Sequence, residues 1–75
     1  MIGTKIHDIW RRELALDDFS DTDDFFELGG HSLIMAKIQE AIEAELGVEV
    51  PMDELFRKST VLDISAHIES MSAVA

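Results

Sequence analysis

Three stretches of the chain repeat apolar residues every three or four positions, the signature of helices that bury one face. Ile2, Ile6, Ile9, Trp10 and Leu14 predict a first helix from about Thr4 to Ala15. A second begins near His31 or Ser32 and runs to Leu46, where Gly47 supplies a left-handed stop. The segment VEVP, 48–51, then breaks helicity, because Pro51 disfavours helical geometry in the residue before it. DELFR, 53–57, has room for little more than one turn. A last helix starts after Thr60, which can cap it while Asp63 answers three residues on. Its apolar face is expected to be Leu62, Ile64, Ile68 and Met71. The expected fold is all-α, a small four-helix bundle with three main helices and one short one, in a single domain covering residues 1–75.

Between the first two helices lies DDFSDTDDFFE, 17–27, too acidic and irregular for a helix of any length. Loops this long are uncommon in compact domains and are often functional. Phe19, Phe25 and Phe26 are expected to pin it to the core, with Trp10, Phe25, Phe26 and Phe56 all at core positions. A calcium loop does not fit in either register. Starting at Asp17 places Phe19 third and Thr22 where glycine is required, and starting at Asp21 places Phe25 fifth and Ser32 last. A solvated acidic face is the better account. His7 and His67 lie on different helices with no partner four residues away, so a metal site is not expected.

A chain of 75 residues buries only about 60% of its unfolded surface, enough for a modest core but not for a deep substrate pocket as well. It has no cysteine, which excludes disulfides, thiolate metal sites and a cysteine nucleophile. MIGTKIHDIW lacks the apolar run of a signal peptide and no stretch could span a bilayer, so the expected location is the cytoplasm. Sixteen acidic residues against six basic ones give a formal charge of −10. Such a field repels nucleic acid and anionic membrane surfaces and favours partners with basic docking faces.

The mouth of the second helix, GGHSL, then needs explaining. On a wheel of about 100° per residue, Ile34, Ile38, Ala41 and Ile42 fall on one side as the expected buried stripe. Ser32 falls opposite, with Ala36, Glu40 and Glu43, and Leu33 lands there too. Burying a leucine is worth roughly 1.5 to 3 kcal/mol, so a leucine left in water beside an exposed serine is a candidate docking contact.

Ser32 admits three readings. It could merely cap its helix, since serine is among the best N-cap residues, but that leaves Gly29, Gly30 and Leu33 unexplained. The two glycines let the backbone turn sharply and keep bulk away from the hydroxyl. A hydrolytic nucleophile would need a base, an orienting acid and an oxyanion hole. GGHSL is not the G-x-S-x-G elbow, and His31 projects about 100° around the helix from Ser32. In the third reading the hydroxyl is the point where a phosphate-linked group is joined. There a phosphodiester would sit at a helix N-terminus, where free N–H groups and the macrodipole favour an anion.

DDFFELGGHSL, 23–33, closely resembles the phosphopantetheine-attachment motif of carrier proteins, particularly the peptidyl carriers of nonribosomal peptide synthetases. The likeness continues through VPMDELF and STVLDISAHI, and so covers nearly the whole chain. The resemblance implies a four-helix bundle in which Ser32 carries 4′-phosphopantetheine from coenzyme A, with Gly30 and His31 beside it. The cofactor's thiol would hold an aminoacyl, peptidyl or acyl group as a thioester. Implied partners are a phosphopantetheinyl transferase, an adenylating or other loading enzyme, and an acyltransferase or condensing enzyme, acting on a monomeric carrier that is not itself an enzyme. Docking in the family commonly uses the second helix and the loop before it. Here that assigns Leu33, Ala36, Lys37, Glu40, Phe26 and, on the short helix, Met52.

His31 leans the match toward peptidyl rather than fatty-acid carriers, though a stand-alone carrier of a polyketide pathway could share the motif. Two positions depart from the common pattern. Met35 and Ala36 reverse the usual order of small then bulky, beside the expected docking face, and Ser59 stands where proline is frequent, which should only loosen the last helix's start. The opening methionine shortly before the first helix suggests a free-standing carrier, although an excised piece would look similar. The alternative from another class is a small helical interaction domain, with Leu33 and the acidic loop as its surface and Ser32 as a cap.

Overall fold

The computed structural model describes residues 2–72. Four helices follow one another: α1 (Ile2–Leu14), α2 (Ser32–Leu46), α3 (Met52–Arg57) and α4 (Val61–Ser72). No strand occurs among the described residues, so the fold is the expected all-α bundle. α1 packs against both α2 and α4, and α3 against α2.

The helix ends have local causes. Ala15 takes a left-handed φ of 56°, and its N–H donates to the Arg12 carbonyl while that of Leu16 donates to Arg11. This closure of the last free carbonyls ends α1 one residue before the expected Ala15. Gly47, at φ 68°, ends α2 where expected. The Thr60 hydroxyl accepts from the Asp63 N–H at 3.1 Å, capping α4 as expected.

The core takes Ile6, Ile9 and Trp10 from α1, Met35, Ile38 and Ile42 from α2, Leu55 from α3, and Val61, Ile64 and Ile68 from α4. Phe19, Phe25 and Val50 join them from the connections. Three expectations need correction. On α2, Met35 is buried, while Ile34 and Ala41 are only partly so. On α4, Leu62 and Met71 are exposed, and the buried face is Val61, Ile64, Ser65 and Ile68, a strict three-and-four spacing. Phe26 is 45% exposed rather than in the core, and it stacks on half-buried Phe56 with ring centroids 5.7 Å apart. The Trp10 Nε1 and Ser65 Oγ atoms are buried without a hydrogen-bond partner among the described residues.

The acidic connection is held at several points. The His7 ring stacks on Phe19 at 4.3 Å, and its Nδ1 lies 2.6 Å from Asp21 Oδ1. The Asp21 carbonyl accepts from the Leu62 N–H at 3.0 Å, tying the loop to α4. Phe25 meets Trp10 edge-on at 5.4 Å, so the loop's aromatic anchor sits directly on α1.

Candidate functional site

The approach to α2 is built from Asp24 onward. Its Oδ2 accepts from the N–H groups of Phe26 and Glu27, at 2.9 and 3.2 Å. That bonding starts a tight turn over residues 25–29, closed by Leu28 N–H to the Asp24 carbonyl at 3.1 Å and Gly30 N–H to the Phe25 carbonyl at 3.0 Å. Gly29 leaves the turn at φ 94°, a conformation side chains rarely take. Gly30 is glycine for a different reason from the one expected. A Cβ there would meet the Phe25 ring at 2.3 Å, so the small residue accommodates the buried ring rather than clearing space around the hydroxyl.

His31, not Ser32, is the N-cap of α2, with extended backbone (φ −148°, ψ 177°) and no side-chain capping bond. Ser32 is the first helical residue; it is exposed, and its hydroxyl makes no hydrogen bond among the described residues. The first bond of the helix runs from Met35 N–H to the His31 carbonyl at 2.9 Å, which leaves the N–H groups of Ser32, Leu33 and Ile34 without helical acceptors. An exposed hydroxyl therefore stands on a helix end without a side-chain cap, where the free N–H groups and the macrodipole favour an anion. The capping reading of Ser32 does not hold.

Around it, Leu33 is 66% exposed, His31, Lys37 and Glu40 are exposed, and Ala36 is half-buried. Met35 does not border this surface as expected, because it points wholly into the core. Phe26 links the turn to α3 through Phe56, and half-buried Met52 begins that helix. No cluster of metal-binding side chains occurs among the described residues.

Ser59 does more than loosen the start of α4. Its hydroxyl donates to Asp24 Oδ1, and its carbonyl accepts from the Phe25 N–H at 2.7 Å. The Asp24 carboxyl is held below its ordinary range, first by the Ser59 hydroxyl and then by the Glu27 and Phe26 N–H groups, against some desolvation. Asp24 was not singled out from the sequence, and Ser59 only as a departure from the frequent proline; the one local signal for their pairing was an aspartate opening the turn.

The fold and this exposed serine define a small helical carrier. The family profile described as "Phosphopantetheine attachment site" matches residues 4–68. The chain belongs to that family, and its cofactor is 4′-phosphopantetheine. It is a carrier of the nonribosomal peptide synthetase type. It is 40% identical over 67 residues to bacitracin synthase 3 of Bacillus licheniformis and to surfactin synthase subunit 2 of Bacillus subtilis (strain 168). The match takes in 89% of this chain but only 1% and 2% of those synthases. Among solved structures, it is similar to BlmI, a type-II acyl-carrier protein from Streptomyces verticillus involved in bleomycin biosynthesis, with a TM-score of 0.88, 27% identity, and coverage of 93% of this chain and 84% of that one. A chain in the structure of the phosphopantetheine transferase Sfp with coenzyme A and a peptidyl carrier protein matches with a TM-score of 0.89 and 27% identity, covering 93% of this chain and 91% of that one.

Proposed function

We propose that Ser32 is the residue to which 4′-phosphopantetheine from coenzyme A is joined. The observation that carries this is the Ser32 hydroxyl, exposed and without a hydrogen bond among the described residues, on the first turn of a helix with no side-chain cap. The Ser32 oxygen attacks the phosphorus that bears the pantetheine arm of coenzyme A. The phosphoester bond forms as the diphosphate P–O bond breaks, and adenosine 3′,5′-bisphosphate leaves. The serine proton passes to a base of the phosphopantetheinyl transferase that provides the catalysis. The bound group supplies a thiol, which this cysteine-free chain lacks, for holding an aminoacyl, peptidyl or acyl unit as a thioester.

The chain's own residues present and orient. The α2 N–H groups favour the phosphate, the exposed side of α2 with Leu33, Ala36, Lys37 and Glu40 meets partners, and Phe26 and Met52 extend that surface. We infer that an adenylating enzyme loads the carrier and that condensing or acyl-transferring enzymes unload it, while the carrier performs no catalysis and works as a cytoplasmic monomer. Tethering keeps one intermediate at high effective concentration for successive enzymes. Incubation with coenzyme A and a broad-specificity phosphopantetheinyl transferase, followed by intact mass, tests the proposal. One cofactor should be added to the wild type and none to Ser32→Ala; an unmodified, folded wild type would overturn it.

A further inference from the structure

We propose that Asp24 and Ser59 act as a positioning pair that preorganises the approach to Ser32 for the transferase, an inference that rests on the reading of Ser32 above. The two residues are 35 positions apart and joined by one side-chain bond, with a backbone bond from the neighbouring Phe25 beside it. The Ser59 hydroxyl donates to Asp24 Oδ1, and the Ser59 carbonyl accepts from the next N–H, that of Phe25, at 2.7 Å. The other carboxylate oxygen of Asp24 organises the turn by accepting from Phe26 and Glu27. One side chain thus fixes both the fold of the turn and its place against the α3–α4 junction.

The link reaches the modification site through Phe25. Its carbonyl takes the Gly30 N–H, and its ring fills the space a Gly30 side chain would need, two residues before Ser32. Phe26, exposed on the same turn, rests on Phe56 of α3, three residues before Ser59. The turn and the end of α3 are therefore held as one body. Ser32 itself is fixed by α2, whose first bond does not involve the pair.

Loss of the pair should leave the reacting hydroxyl in place but free the turn, so that ordering it becomes a cost of docking. A cost of that kind raises KM and leaves kcat nearly unchanged. In the transferase reaction at saturating coenzyme A, Ser59→Ala and Asp24→Ala are each expected to raise KM for the carrier about three- to tenfold, with kcat within about twofold. Ser59→Thr, which keeps the hydroxyl, should restore the wild-type KM. Amide spectra of the variants should show shifts at Phe26 and Gly30 with the helices intact. If Asp24→Ala does not fold, Asp24→Asn, which keeps an accepting oxygen but loses the charge, should give a smaller rise in KM. Wild-type KM in the folded alanine variants, or failure of threonine to rescue, would overturn the positioning role and leave Ser32 as the attachment site. A wild type that the transferase cannot modify would overturn both.

Discussion

A methyl group at Gly30 would meet the Phe25 ring at 2.3 Å, and that ring is fully buried against Trp10. The ring has nowhere to retreat, so Gly30→Ala is expected to destabilise the fold by about 1–3 kcal/mol. The urea midpoint should fall; an unchanged midpoint would show that the turn can shift at no cost. Asp24 gives a second expectation. Its folded pKa lies below the ordinary value of 3.8, chiefly through the Ser59 hydroxyl. A depressed carboxyl favours the folded state fully above the ordinary range and loses that effect as pH falls through the folded value. The amides of Phe26 and Glu27 should therefore titrate with a midpoint below 3.8, and Ser59→Ala should move it upward. A midpoint at or above the ordinary value would contradict the bonding described. The exposure of Ser32 was readable from a helical wheel, because it depends on one helix alone. The partnership of Asp24 with Ser59 was not, because it depends on how α3 and α4 return to the loop.

At the scale of the helix, α2 shows where periodicity stops being informative. The expected stripe was Ile34, Ile38, Ala41 and Ile42, whereas burial centres on Met35, Ile38 and Ile42, a rotation of about 50° at 100° per residue. Gln39 explains part of the difference. Its side-chain amide donates to the Val50 carbonyl at 2.8 Å, so a polar residue can border the core without an unmet bond. Ser65 misleads on α4 for a different reason, taking a buried position without a hydrogen-bond partner among the described residues while Leu62 is exposed. Met35→Ala is accordingly expected to cost about 2–5 kcal/mol, while Leu33→Ala, on the exposed side, should change stability by no more than about 0.5 kcal/mol. Chemical denaturation of the two variants decides the matter, and equal losses would contradict the observed phase of the helix. Helix ends were legible, since Gly47 and Thr60 act through their own backbone and hydroxyl. Ala15 was not legible as a stop, because alanine rarely takes the left-handed conformation it has here.

Taken whole, the molecule combines a closed apolar interior with a strongly anionic exterior. Arg11, Arg12, Arg57 and Lys58 are engaged with Asp8, Glu45 and Glu54, which leaves most of the acidic residues unpaired by these contacts. Such exposed pairs contribute little stability individually; the summed charge instead governs which surfaces approach and how fast. The helical bundle holds Ser32, the proposed attachment point, exposed at a helix mouth. The most direct measurement is site-resolved mass spectrometry after reaction with coenzyme A and a phosphopantetheinyl transferase. The expected result is a single cofactor on the peptide containing Ser32, with Ser20, Ser59, Ser65, Ser70 and Ser72 unmodified. A cofactor found on any of those five serines, or on none of the six, would contradict the account.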